Sequence, residues 1–135
     1  MISRKVLREK IVQAIYACMM QSGINEDFDP IEVFSDVFEC DYTDIDIYAK
    51  EIFLSVLDKQ AEIIEACQTY LEGWTFDRLN SVTKAILLEA VAEGNYVKET
   101  NKKIIVNEAI NMAKKYIPNE DYKKVNAILD KVIHE

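Results

Sequence analysis

Apolar residues recur along this chain at spacings of three and four, the period of a helix rather than a strand. The densest run is Ser81–Glu93, where Val82, Ala85 and Ile86 share one face and Leu87, Leu88 and Val91 cover much of the rest. A surface helix carries one apolar stripe, so a helix that is apolar nearly all round packs on several sides at once. Ala85 to Ala92 holds a single charge, Glu89, and is too short to span a bilayer. With Ser81 as cap and Gly94 as stop, the run predicts the central helix of a small all-α domain.

The flanking patterns agree. Ser3 caps a first helix to about Ser22, ended by Gly23, whose inner stripe is Leu7, Ile11, Ala14, Ile15 and Cys18. Arg4, Lys5 and Arg8 fall off that stripe. Asp29-Pro30 starts a short second helix, a cap followed by proline at the first helical position, with Phe34, Val37 and Phe38 inward. From Asp44 to about Leu71 the period holds through Tyr48, Ile52, Val56, Ile63 and Cys67, as one long helix or two in line. Residues 73–79 form a connector with about one helical turn. It divides a single domain, 1–135, into an N-terminal helical subdomain (about 1–72) and a C-terminal one (about 73–135). Asn101 caps a further helix through Tyr116, with Ile105, Ala109, Met112, Ala113 and Tyr116 inward. Pro118-Asn119 breaks it. The last helix turns Tyr122, Val125, Ile128, Leu129, Val132 and Ile133 to the core, and its Asn126 falls on the same inner side.

Composition fits this picture. Half of the 135 residues are hydrophobic, only three glycines and two prolines interrupt them, and no Asn-Gly or Asp-Gly hairpin turn occurs. Three cysteines are too few and too widely spaced for a disulfide framework, so free thiols in a reducing cytosol are expected. The N-terminus runs from basic residues straight into an amphipathic helix, unlike a signal peptide. Net charge is −8, but it is unevenly spread: +3 over residues 1–23, −12 over 24–72 and +1 over 73–135. An acidic protein built this way can still present a basic face.

Catalytic chemistry finds little support. The one histidine, His134, lies at the C-terminus, and metal-ligand spacings, a phosphate loop and a dinucleotide fingerprint are all missing, so neither a metal nor a cofactor is expected. The basic residues carry more. Arg4, Lys5, Arg8 and Lys10 open the first helix, Lys114 and Lys115 close the penultimate one, and Lys123 and Lys124 open the last. If the chain ends meet, these merge into one patch. Lysines at a helix C-terminus also complement its dipole, which is an alternative reading of Lys114 and Lys115.

Four segments add a resemblance. Arg8–Tyr16 (REKIVQAIY), Trp74–Leu88, Val106–Tyr116 (VNEAINMAKKY) and Lys123–Lys131 (KKVNAILDK) are similar, in order and spacing, to the NusB family of transcription antitermination factors. The resemblance implies an all-helical fold of about seven helices in two subdomains, without catalytic activity. It also implies a cytoplasmic protein that binds single-stranded boxA RNA of ribosomal leaders with the ribosomal protein NusE, within the transcription elongation complex. The positions matching the family's RNA contacts are Arg4, Lys5, Arg8, Tyr16, Tyr122, Lys123 and Lys124; those matching its protein contact are Tyr16 and Thr83. Several positions depart from the family pattern. Thr83 stands where an acid is common, Leu88 where a base is, Ala92 where a tyrosine is, Lys124 where an aromatic is, and Ala127 where a glycine is. Asn107, Glu108 and Asn126 match the family and are expected to serve structure. A protein-binding adaptor that keeps the fold without boxA recognition is the alternative.

Overall fold

The computed structural model describes residues 2–24 and 27–135. Among them are six α-helices and no strand: α1 (Arg4–Ser22), α2 (Pro30–Phe38), α3 (Ile47–Gln68), α4 (Ser81–Val91), α5 (Lys102–Tyr116) and α6 (Asp121–Val132). Single 3-10 turns, Tyr42–Asp44 and Phe76–Arg78, precede α3 and α4. The 44–71 pattern is thus one helix, α3, kinked at Lys59 where φ is −111° and ψ 15°.

Local chemistry sets the helix starts. The side chains of Ser3, Asp29, Asp46, Asn80 and Asn101 each accept from a backbone N–H of the first turn, satisfying donors the helix cannot. The cap of α4 is therefore Asn80, one residue before the expected Ser81.

α4 lies at the centre, as its pattern predicts. It packs against α1, α3, α5 and α6, and every residue from Ala85 to Val91 is buried. Gly94 does not end it. The helix widens into a π-helical turn, Ala92–Val97, closed by Lys98 in the left-handed conformation (φ 61°). Gly94 is needed here for space instead: a Cβ would lie 2.7 Å from Cγ2 of Ile133. Asn95 beside it ties down the chain end, donating to the Val132 carbonyl (2.9 Å) and accepting from the His134 N–H (2.9 Å).

The core is continuous across both halves of the chain, from Leu7 and Ile11 through Phe34, Phe53 and Ile86 to Leu129. Two inward assignments need correction. Tyr116 is exposed because its hydroxyl reaches α1, and Asn126 is exposed on the outer side of α6, so it is not a buried amide tying helices together. No described helix is long and apolar enough to cross a membrane.

Candidate nucleic-acid interface

Helical geometry splits the basic first turns of α1 into two faces. Residues four apart nearly overlie, so Arg4 and Arg8 share one face, while Lys5, Glu9 and, two further turns on, Tyr16 share another.

The Arg4–Arg8 face meets α3 and the π turn. Arg8 is only 4% exposed, which overturns its expected position off the apolar stripe. Its Nε and Nη2 donate to the two carboxylate oxygens of Glu93, both at 2.9 Å. Planar guanidinium matches carboxylate in this bidentate fashion, and burial strengthens the pairing while making either charge costly alone. Tyr48, at the start of α3, donates its hydroxyl to the same carboxylate and offers its ring face to Arg4, whose guanidinium carbon lies 4.3 Å from the centroid. Arg4 also donates to Thr100 Oγ1 at 3.5 Å and stays exposed.

Glu89, one turn before Glu93, is fully enclosed, and its Oε2 has no hydrogen-bond partner. Burial, followed by the charge of Glu93, raises its pKa well above the ordinary 4.5, which favours its protonated form beside Glu93. For Glu93, burial alone would raise the pKa, but the bonds from Arg8, Glu89 and Tyr48 outweigh it and hold the value at about 2. The Tyr48 hydroxyl is pushed up, first by burial and then by its bond to Glu93. Sequence reasoning missed this cluster. Its one signal was two acids spaced i, i+4 on an otherwise apolar helix.

On the other face, Glu9 joins α1 to the end of α5. It accepts from Lys115 Nζ at 3.0 Å and from the Tyr116 hydroxyl. The Tyr116 bond is the main cause holding its pKa below the usual range, and the charge of Lys5 contributes. The contact joins the second turn of α1 to the end of α5. Lys114 Nζ then sits 4.9 Å from the ring centroid of Tyr122 at the start of α6, and Lys124 Nζ sits 4.6 Å from that of Trp74 in the connector. Lys123 is exposed and pairs with Glu120 at 3.2 Å. Tyr16 is 39% exposed.

Thr83 behaves differently from the expectation. It is fully buried, and its hydroxyl donates to Asp121 Oδ2 (3.3 Å), linking α4 to the first turn of α6. Its side chain offers no exposed surface to a partner. Asn107 is exposed and Glu108 half-buried.

Chemically, this face offers ammonium groups set against aromatic rings. Phosphates suit the first and unstacked bases the second. Among the described residues, no group of His, Cys, Asp or Glu side chains could hold a metal ion.

Comparison with known proteins agrees. Residues 5–134 match the NusB family. The chain is 34% identical over 137 residues to the transcription antitermination protein NusB of Methylacidiphilum infernorum, covering 100% of this chain and 93% of that protein. It is also 34% identical to its counterpart from Ligilactobacillus salivarius, with 98% of each covered. A chain from the crystal structure of antitermination factors NusB and NusE in complex with dsRNA superposes with a TM-score of 0.80 at 24% identity, covering 96% of this chain and 94% of that one.

Proposed function

Because the chain belongs to the NusB family, we propose that it is an RNA-binding transcription antitermination factor rather than an enzyme. In this reading it binds boxA-type elements of ribosomal RNA leaders together with the ribosomal protein NusE, within the cytoplasmic elongation complex. Curated relatives bear the name of antitermination proteins, and a similarly folded chain comes from a crystal of NusB and NusE with dsRNA.

The observation that carries the proposal is the bridge from Glu9 to Lys115 and Tyr116. It joins the second turn of α1 to the end of α5, next to Lys114, whose Nζ lies over the Tyr122 ring. Arg4, Lys5 and Lys123 then serve as phosphate contacts, Tyr16 and Tyr122 as rings for bases, and Lys124 as a further cation. Arg8 acts from beneath, fixing the turn that carries Arg4 and Lys5. NusE docks along the exposed side of α1, at Tyr16, and Thr83 contributes by orienting Asp121.

The test is a pair of titrations at fixed moderate salt with a boxA-like RNA, with and without NusE. Weak binding alone is expected, because the net charge of −8 opposes RNA at long range. NusE should tighten it, and RNA should tighten NusE by the same factor. Failure to bind RNA under either condition would refute the proposal.

A further inference from the structure

We propose that Trp74 is a stacking platform for one base of single-stranded RNA. The position lies beside Lys124 and outside the set of expected RNA contacts. The inference rests on the RNA-binding reading above and adds a subsite to it.

The backbone around Trp74 is held with unusual care for a connector. Gly73 takes a left-handed φ of 73°, a conformation that costs glycine little and turns the chain away from α3. Gln68, in the last turn of α3, then grips the next segment with one amide. Its Nε2 donates to the Trp74 carbonyl at 2.9 Å, and its Oε1 accepts from the Phe76 N–H at 2.6 Å. Phe76 and Leu79 anchor the far side by burial, at 4% and 6% exposure. Between these fixed points the indole of Trp74 remains 48% exposed.

An indole is the largest apolar side chain and normally contributes most when buried. Here the scaffold immobilises the residue while leaving much of its ring in water. Lys124 Nζ lies over the ring, 4.6 Å from its centroid, so one face carries the cation and the remaining exposed surface is left to a base. That pairing matches a nucleotide: a base stacks on the ring, and the ammonium meets its phosphate. A connector already rigid loses little conformational freedom when the base arrives. Lys124 and Tyr122 share the first turn of α6, so the platform lies at the same end of that helix as the Lys114–Tyr122 pair.

Trp74 is the only tryptophan, so emission from the intact chain reports on this ring alone. The full chain is titrated with a boxA-like single-stranded RNA and, separately, with an abasic strand of equal length. Saturable quenching by the RNA but not by the abasic strand is expected. With end-labelled RNA followed by anisotropy, Trp74→Ala should weaken binding roughly five- to a hundredfold, the range for loss of one stacked base. Trp74→Phe should retain most of the affinity, and neither variant should change the melting temperature. Wild-type RNA binding without quenching, together with unchanged affinity of Trp74→Ala, would overturn the platform and leave the RNA-binding function standing. No binding by the wild type, with or without NusE, would remove both. Emission that responds to NusE in the absence of RNA, with Trp74→Ala weakening NusE alone, would assign the ring to the protein contact and overturn the proposal.

Discussion

Replacing Arg8 by Met should damage stability far more than it damages the charge of the RNA-binding face. Two hydrogen bonds at 2.9 Å join Arg8 to Glu93, whose side chain is 0% exposed. Removing the guanidinium leaves a buried carboxylate with the Tyr48 hydroxyl and Glu89 as its remaining partners. Breaking a buried pair in this one-sided way costs about 3–5 kcal/mol. Against a typical domain stability of about 5–15 kcal/mol, that is roughly a fifth or more of the total. Urea unfolding followed by far-UV circular dichroism at pH 7 measures it directly. The double variant Arg8→Met, Glu93→Gln removes the stranded charge and should recover part of the loss, with a coupling of about 0.5–3 kcal/mol. RNA affinity, measured where the single variant is folded, supplies the second readout. The slope of log K against log salt should be unchanged, whereas a lost phosphate contact would flatten it by about 0.7. A cost below about 1 kcal/mol, the value of a solvated pair, combined with a flatter slope would refute the assignment of Arg8 to the interior.

Glu89→Gln should be neutral or stabilising at pH 7, because burial and the charge of Glu93 favour the protonated form of Glu89 and a glutamine there carries no charge to bury. The sign follows from its raised pKa: the wild type has this contribution in full below pH 4.5 and loses it as pH rises, and the variant should lack that decline. Glu93 acts in the opposite sense, its contribution present above pH 4.5 and lost as pH falls toward about 2, so acid unfolding of Glu93→Gln should be shallower there. Gly94→Ala should cost roughly 1–3 kcal/mol in urea unfolding, since its methyl must displace the branched side chain of Ile133; an unchanged midpoint would mean that α6 gives way freely. Arg4→Ala and Lys5→Ala should each flatten the salt slope of RNA binding by about 0.7 without moving the melting temperature.

How much of this could be read from the sequence depends on what kind of interaction carries it. Apolar periodicity is local, so the caps at Ser3, Asp29 and Asn101, the buried α4 and the helices themselves were legible in the sequence. The resemblance implies about seven helices and six α-helices are found, because the 44–71 pattern forms the single kinked helix α3. The basic patch was legible as a list of residues, because charge is a property of type. Its geometry was not, because Glu9–Tyr116 and Trp74–Lys124 join residues far apart in sequence. Arg8 was misplaced for a related reason: its stem borders the apolar stripe, and only knowledge of Glu93 opposite makes burial of its head favourable. Asn126 erred the other way. Three residues before Leu129 is the right spacing for the core face, yet the contact of α6 with α5 and α4 is centred on Val125, Ile128 and Leu129, leaving Asn126 outside. Gly94 read as a stop because glycine usually ends helices. Here it serves close packing within a π turn, which no local pattern distinguishes.

An acidic protein that binds RNA has to keep its own carboxylates from competing with the strand. The acid of residues 24–72 lies largely on exposed positions of α2, α3 and the turn between them, where salt screens it within about 8 Å at physiological ionic strength. The acids nearest the patch are committed elsewhere. Glu93 is paired with Arg8, burial favours the protonated form of Glu89, Glu9 is held by Lys115 and Tyr116, and Asp121 accepts from Thr83. Glu120, paired with Lys123 on the surface, is the exception, since both groups are exposed and the bond is readily exchanged with water. A phosphate approaching Lys123 must displace Glu120. Glu120→Gln should therefore tighten RNA binding and steepen the salt slope slightly, by freeing a lysine that the wild type engages internally. The same titration with Lys123→Ala supplies the control, because the two substitutions combined should return the affinity to that of Lys123→Ala alone. A gain from Glu120→Gln that persists without Lys123 would mean that Glu120 repels the strand directly, through its own charge.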